Sequence, residues 1–124
     1  MRRLTRLTPL VPFAAADAAG GGTAQMPVAE IVTYTVKEGI KTEDLLQAAR
    51  KTEAFLRDTG AVLSRQLSRD ESGLWTDYIL WTSLEAAKAT EAQAMERPEF
   101  ATFFAMMAEG SAQLRHAPVL MQMD

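Results

Sequence analysis

Apolar positions along the chain switch between two periods, and the switches mark out the elements. Residues 29–36, Ala-Glu-Ile-Val-Thr-Tyr-Thr-Val, are rich in β-branched and aromatic side chains and predict a strand. After a turn at Glu38-Gly39, Leu45, Ala49, Thr52 and Leu56 recur at helical spacing, with Leu46 and Phe55 widening the stripe. Thr42 stands where a cap would, Glu43 and Asp44 suit the positive end of a helix, and Gly60 suits a left-handed C-terminal stop. Residues 61–69 and 74–82 predict two more strands, joined as a hairpin by Asp70-Glu71-Ser72-Gly73. Thr82-Ser83-Leu84-Glu85 reads as a capping box opening an alanine-rich helix that breaks at Pro98. Phe100, Phe103, Phe104 and Met107 then recur at i, i+3, i+4 and i+7 up to Gly110. Residues 112–123 predict a last strand, which Pro118 marks as an edge or a bulge.

The order strand, helix, strand, strand, helix, strand predicts an α+β, ferredoxin-like βαββαβ sandwich, with both crossovers on one face of an antiparallel sheet. The other face is then open. In the third strand Trp75, Ile79 and Trp81 share one parity while Leu74, Tyr78 and Leu80 share the other, so neither face reads as polar. In the last strand Val119, Met121 and Met123 stand opposite Leu114 and Leu120 in parity. Burying four such side chains is worth roughly 6–12 kcal/mol. A homodimer with open sheet faces together is therefore the expected assembly, in preference to the N-terminal segment folding back.

Composition alters this picture mainly at the N-terminus. Residues 1–25 hold Arg2, Arg3, Arg6, two prolines, an alanine cluster and Gly20-Gly21-Gly22, and no period persists through them. They read as a disordered leader, a targeting segment or an over-extended start, leaving residues 26–124 as the one domain. Without the three arginines and one aspartate of that segment, 10 basic and 15 acidic residues give the domain a net charge of −5. That acidity argues against nucleic acid as a partner. No uninterrupted apolar run is long enough to span a membrane, and a cytoplasmic location is expected unless the leader is an export signal. With no cysteine and a single histidine, thiolate chemistry and multi-histidine metal sites are excluded, and neither metal nor cofactor is expected.

The strand segment Glu30-Ile-Val-Thr-Tyr34, the Gly60 junction, the strand-to-helix passage Ile79-Leu-Trp-Thr-Ser-Leu-Glu-Ala86, the Arg97-Pro-Glu-Phe100 break and the Arg115-His116 pair together carry a likeness. The chain resembles the dimeric α/β-barrel superfamily, and within it the antibiotic-biosynthesis monooxygenase-like proteins, from Pro27 to about Met123. The resemblance implies two ferredoxin-like subunits, each with a pocket between sheet and helices. Some members oxidise aromatic polyketides with O2 and no cofactor, and others degrade haem. For the haem branch Trp81 matches a pocket tryptophan. The expected histidine is missing near Phe103 and Phe104, and the expected asparagine is missing near Thr33 and Tyr34, so haem cleavage is not implied.

Candidate chemistry follows from residue type. His116 is the side chain whose ordinary titration suits a base at neutral pH; the alternative is an edge-strand histidine bonded to backbone or solvent. Asp77 lies mid-strand with the parity of Trp75 and Trp81, where it is either a second base or, more simply, a salt-bridge partner of Arg65 or Arg115. Trp81, Tyr34 and Trp75 offer flat surfaces with polar tips for a small apolar or aromatic ligand. Phe103, Phe104 and Met107 offer an adaptable wall beside them. Ordinary core packing is the competing reading for all six. Glu91, Glu96 and Glu99 read as a solvated helix surface rather than metal ligands.

Overall fold

The computed structural model describes residues 26–123. In chain order it runs β1 (Val28–Tyr34), α1 (Thr42–Arg50), α2 (Glu53–Asp58), β2 (Val62–Arg69), β3 (Trp75–Trp81), α3 (Leu84–Ala94), α4 (Pro98–Ala105) and β4 (Gln113–Pro118). The strands form one antiparallel sheet in the order β2-β3-β1-β4. This is the ferredoxin-like α+β sandwich expected from the element order. The reading of residues 1–25 as a leader lies outside the described residues.

Register fixes what faces the helices. Val28, Glu30, Val32 and Tyr34 of β1 pair with Trp81, Ile79, Asp77 and Trp75 of β3. Glu30 also pairs with His116 of β4, and Ile79 with Arg65 of β2. Pleating sends these residues to one face, under α1–α4. The core there has two parts. Tyr34, Leu45, Trp75, Phe103 and Met107 fill one end, and Leu56, Ile79, Trp81, Ala87 and Phe100 the other. Asp77, between Trp75 and Ile79 on the same strand face, divides them.

The outer face is less apolar than expected. Ile31, Tyr78 and Leu80 lie on its central strands, but Thr33, Thr76, Gln66 and Arg115 share it by register. β4 ends at Pro118, paired with the first residue of β1, and only the Val119 N–H reaches beyond it, donating to Pro27 O at 2.9 Å. Leu120, Met121 and Met123 consequently lie beyond the sheet and are exposed instead of extending its outer face. Leu74 sits in the turn before β3 and is also off the sheet.

Local chemistry moves other boundaries. The first helical stretch is two helices, broken at Lys51-Thr52. The Thr52 hydroxyl donates to Ala49 O at 2.6 Å, and its N–H also turns back to Ala49 O, tightening the chain to i→i−3 bonding there. Thr42 is the first helical residue of α1, not its cap, and its hydroxyl accepts from Arg69 at 2.6 Å. Ser83, rather than Thr82, caps α3 by accepting from the Ala86 N–H at 3.1 Å. The Glu85 half of the expected capping box is thereby lost. Gly60 and Gly73 hold φ of +69° and +92°, the left-handed turns the sequence required.

Candidate functional site

The chain's one histidine does not sit alone. His116 projects from β4 beneath α3, and its Nε2 lies 2.6 Å from Glu91 Oε2. Glu91 is on the stripe of α3 that includes Ala87, Thr90 and Ala94, all buried, so its carboxylate reaches down to the sheet. Glu30, beside His116 in register, is only 6% exposed. Its Oε1 accepts from the Trp81 indole N–H at 3.0 Å, and its carboxyl hydrogen-bonds Glu91. One carboxylate oxygen from each acid and a ring nitrogen of His116 lie within 4.8 Å of one another. Three elements thus bring two acids and an imidazole to one point.

Electrostatics separates the two acids. Burial, followed by the hydrogen bond to Glu91 and its charge, pushes Glu30 up to about 9 from an ordinary 4.5; the charge of Asp77 adds to this and the Trp81 bond opposes it. Burial also raises Glu91, but hydrogen bonds from His116 and Glu30, with the charges of His116 and Lys88, outweigh it and hold Glu91 below the ordinary carboxylate range. Glu30 is therefore the protonated acid and donates to an ionised Glu91. An ionised Glu91 can only accept, so His116 presents its Nε2–H to it. The side chains of His116 and Glu91 are 17% and 30% exposed, against a nearly sealed Trp81. The bonded series therefore runs from the core to the solvent boundary.

Asp77 stands apart from this cluster. Arg65 Nε and Nη2 donate to its Oδ1 and Oδ2 at 3.0 and 2.7 Å, and Arg65 Nη1 donates to Thr52 Oγ1 at 2.9 Å and Ala49 O at 3.3 Å. Of the two partners weighed from the sequence, Arg65 is the one that meets Asp77, while Arg115 pairs with Ile31 on the other face. Both carboxylate oxygens are engaged by a bidentate guanidinium, a geometry suited to holding β2, β3 and α1 together.

The six aromatic and methionine candidates are mostly core. Tyr34 stacks on Trp75 with centroids 6.3 Å apart and meets Phe103 edge-on at 6.1 Å. Met107 closes the same cluster, Trp81 packs in the other, and Phe104 is partly exposed. The Tyr34 hydroxyl is buried without a hydrogen-bond partner, and burial, with the charge of Asp77, raises its pKa against the opposing Arg65. A cavity of about 370 Å3 lies elsewhere: between α1–α2 and β2, lined by Leu46, Leu56, Val62, Leu67, Arg57 and Arg65 among others. Glu30 and Glu91, the acids that complete the cluster, were not singled out by sequence reasoning, and Glu91 is not the solvated surface residue expected. Strand parity carried a signal for Glu30, which alternates in step with Tyr34.

Fold and cluster together define a ferredoxin-like α+β sandwich with a carboxylate–imidazole group where the sheet meets its third helix. No protein-family model matches the chain, and no curated protein matches it in sequence. Solved structures do share its fold. A point mutant of SnoaB, a cofactor-independent oxygenase from Streptomyces nogalater, superposes with a TM-score of 0.65 at 15% identity, covering 77% of this chain and 95% of that one. A candidate antibiotic biosynthesis monooxygenase from Bordetella bronchiseptica gives 0.66 at 16% identity, covering 78% and 100%. PA3566 from Pseudomonas aeruginosa gives 0.60 at 21% identity, covering 81% and 100%. The chain shares the fold of these structures. No helix among the described residues is long and apolar enough to cross a membrane.

Proposed function

We propose that the protein is a small oxygenase of the cofactor-independent kind, acting on a hydroxylated aromatic or polyketide-like compound, with His116 as its base. The observation that carries this reading is the 2.6 Å contact between Glu91 and His116 at the edge of the core, in a fold shared with a cofactor-independent oxygenase. Glu91 orients the imidazole through Nε2 and stabilises the imidazolium that forms, as the acid of a catalytic triad does. Nδ1 is then free to take a proton from an acidic C–H or phenolic O–H of the substrate. The resulting electron-rich anion reduces O2; overall a ring CH2 and O2 give a carbonyl and water. Glu30 anchors Glu91 and is itself anchored by Trp81. Asp77, engaged by Arg65, has a positioning role in the scaffold. The acting unit is a homodimer joined through the outer sheet face, a reading supported by Ile31 and Tyr78, side by side in register there. Sedimentation of the full chain at micromolar concentration is expected to give twice the monomer mass.

Oxygen uptake with a panel of hydroxylated anthrones tests the chemistry. His116→Ala is expected to lower turnover about 100-fold or more, the usual contribution of a positioned base. Undiminished uptake in that variant refutes the assignment. A second reading, a protein that binds such compounds without turnover, is favoured by the separation of the α1–α2/β2 cavity from His116. Under it, no member of the panel consumes oxygen, and His116→Ala binds aromatics as the parent does.

A further inference from the structure

We infer that Glu30, Glu91 and His116 form a binding site for a divalent first-row transition ion, with Zn2+ the best match. Two carboxylates and one imidazole, drawn from β1, α3 and β4, converge within 4.8 Å. Zn–N and Zn–O bonds of about 2.0–2.2 Å place neighbouring ligand atoms roughly 3–4 Å apart, so small side-chain rotations suffice to close the three around one ion. Charge points the same way. Two acids share a largely enclosed space, and no Lys or Arg forms an ion pair with either among the described residues; Lys88 acts on Glu91 only through its field. A divalent cation would balance two carboxylates outright.

The surroundings also suit an ion. The Trp81 indole N–H fixes Glu30 Oε1 at 3.0 Å, the kind of outer hydrogen bond that orients a metal-bound carboxylate. Glu91 and His116 are partly exposed, leaving a path for entry and room for a water to complete four-fold coordination. An imidazole beside two carboxylates selects Zn2+ or its first-row neighbours over Mg2+ and Ca2+, which favour all-oxygen sets. The site does not rest on the proposed oxygenation, because occupancy is read without turnover. If His116 is the base, the bound ion blocks it and acts as an inhibitor.

The test uses the full, untagged chain after EDTA treatment, titrated with ZnCl2, CoCl2 and MgCl2 in a calorimeter. The imidazole resonances of the single histidine are followed in parallel. One Zn2+ per chain at micromolar Kd is expected, with His116 signals shifting at the same stoichiometry and Mg2+ binding at least 100-fold weaker. His116→Ala and the near-isosteric Glu30→Gln and Glu91→Gln are each expected to weaken Zn2+ at least tenfold while retaining the parent's circular dichroism. Absence of Zn2+ binding below millimolar concentration overturns the site. So does binding that leaves the His116 resonances unmoved or survives in folded Glu91→Gln. Zinc binding without any oxygen uptake leaves the site standing and removes only the oxygenase reading.

Discussion

Replacing Glu30 by glutamine should stabilise the protein, although Glu30 is buried and hydrogen-bonded. The unfolded chain releases the Glu30 proton near 4.5, whereas the native protein holds it until about 9. Between those values the native state binds one proton more than the unfolded state, so stability falls as pH rises, by about 1.4 kcal/mol per unit. The fall begins above the unfolded value and levels off above the folded one. At pH 7.5 the accumulated cost is about 4 kcal/mol, from three pH units. Glutamine bears none of it. Its amide oxygen keeps the Trp81 bond and its N–H replaces the proton donated to Glu91. Allowing about 1 kcal/mol for imperfect amide geometry, Glu30→Gln is expected to gain about 3 kcal/mol at pH 7.5 and to lose about 0.5 kcal/mol at pH 4.5.

Urea unfolding of the metal-free protein in EDTA, followed from pH 5 to 9, reads this directly. With a slope of roughly 1.5 kcal/mol per molar, the midpoint of the variant should exceed the parent's by about 2 M at pH 7.5. The two should converge towards pH 5. Glu91 does not mimic the effect. Its folded pKa is lowered, so its contribution is present above the ordinary glutamate value and lost as pH falls through the folded one, a more acidic window with the opposite slope. Parallel midpoint curves for variant and parent across the whole range would refute the protonated-Glu30 reasoning. Glu30→Ala is the contrasting control: it strands the Trp81 N–H and opens a cavity, so it should lie below Glu30→Gln at every pH and below the parent at pH 5.

Two further substitutions test the other buried polar groups. Tyr34→Phe removes a hydroxyl that has no partner, so thermal unfolding should show no loss and a gain of up to about 1 kcal/mol; a loss beyond about 1 kcal/mol would mean the hydroxyl is satisfied in solution. Asp77→Asn leaves the Arg65 guanidinium without its counter-charge and should cost about 3–5 kcal/mol in urea unfolding, while Arg65→Met/Asp77→Leu together should cost less than Asp77→Asn alone.

Much of the fold was legible because local signals agreed with one another. Gly60 and Gly73 supply positive-φ turns that other residues tolerate poorly, Pro98 suits the first turn of a helix, and each stands where the chain needed it. Signals that depend on a distant partner read less well. Thr52 looks like one more position on a helical stripe, and only Arg65 from β2, bonding its hydroxyl and the Ala49 carbonyl, marks the break between α1 and α2. Thr42 resembles a cap until Arg69 takes its hydroxyl. The site shows the same limit. His116 and Trp81 stood out by residue type, but Glu91 looked like one of several surface acids. Its role depends on the packing of α3 over the sheet, which no short-range pattern reports. Asp77 was legible as half of a pair, with two arginines eligible until register sent Arg115 to the outer face.

The energetics of Glu30 bear on what the cluster is for. A glutamine there would preserve the indole bond and the link to Glu91 at lower cost, so packing and hydrogen bonding alone give no reason for an acid. A group held several kcal/mol away from its solution preference, next to the chain's one imidazole, is what a site with chemical work to do requires. The two proposals differ in what they ask of the Glu30 proton. For oxygenation the Glu30 proton stays, keeping Glu91 the only anion facing His116 and the imidazole basic at Nδ1. For metal binding the proton must leave, and the ion's charge takes its place between the two carboxylates. Glu30→Gln therefore separates them: it should weaken Zn2+ binding at least tenfold, because an amide is a poor ligand, and leave base catalysis nearly intact, because the amide can donate to Glu91 as the protonated acid does.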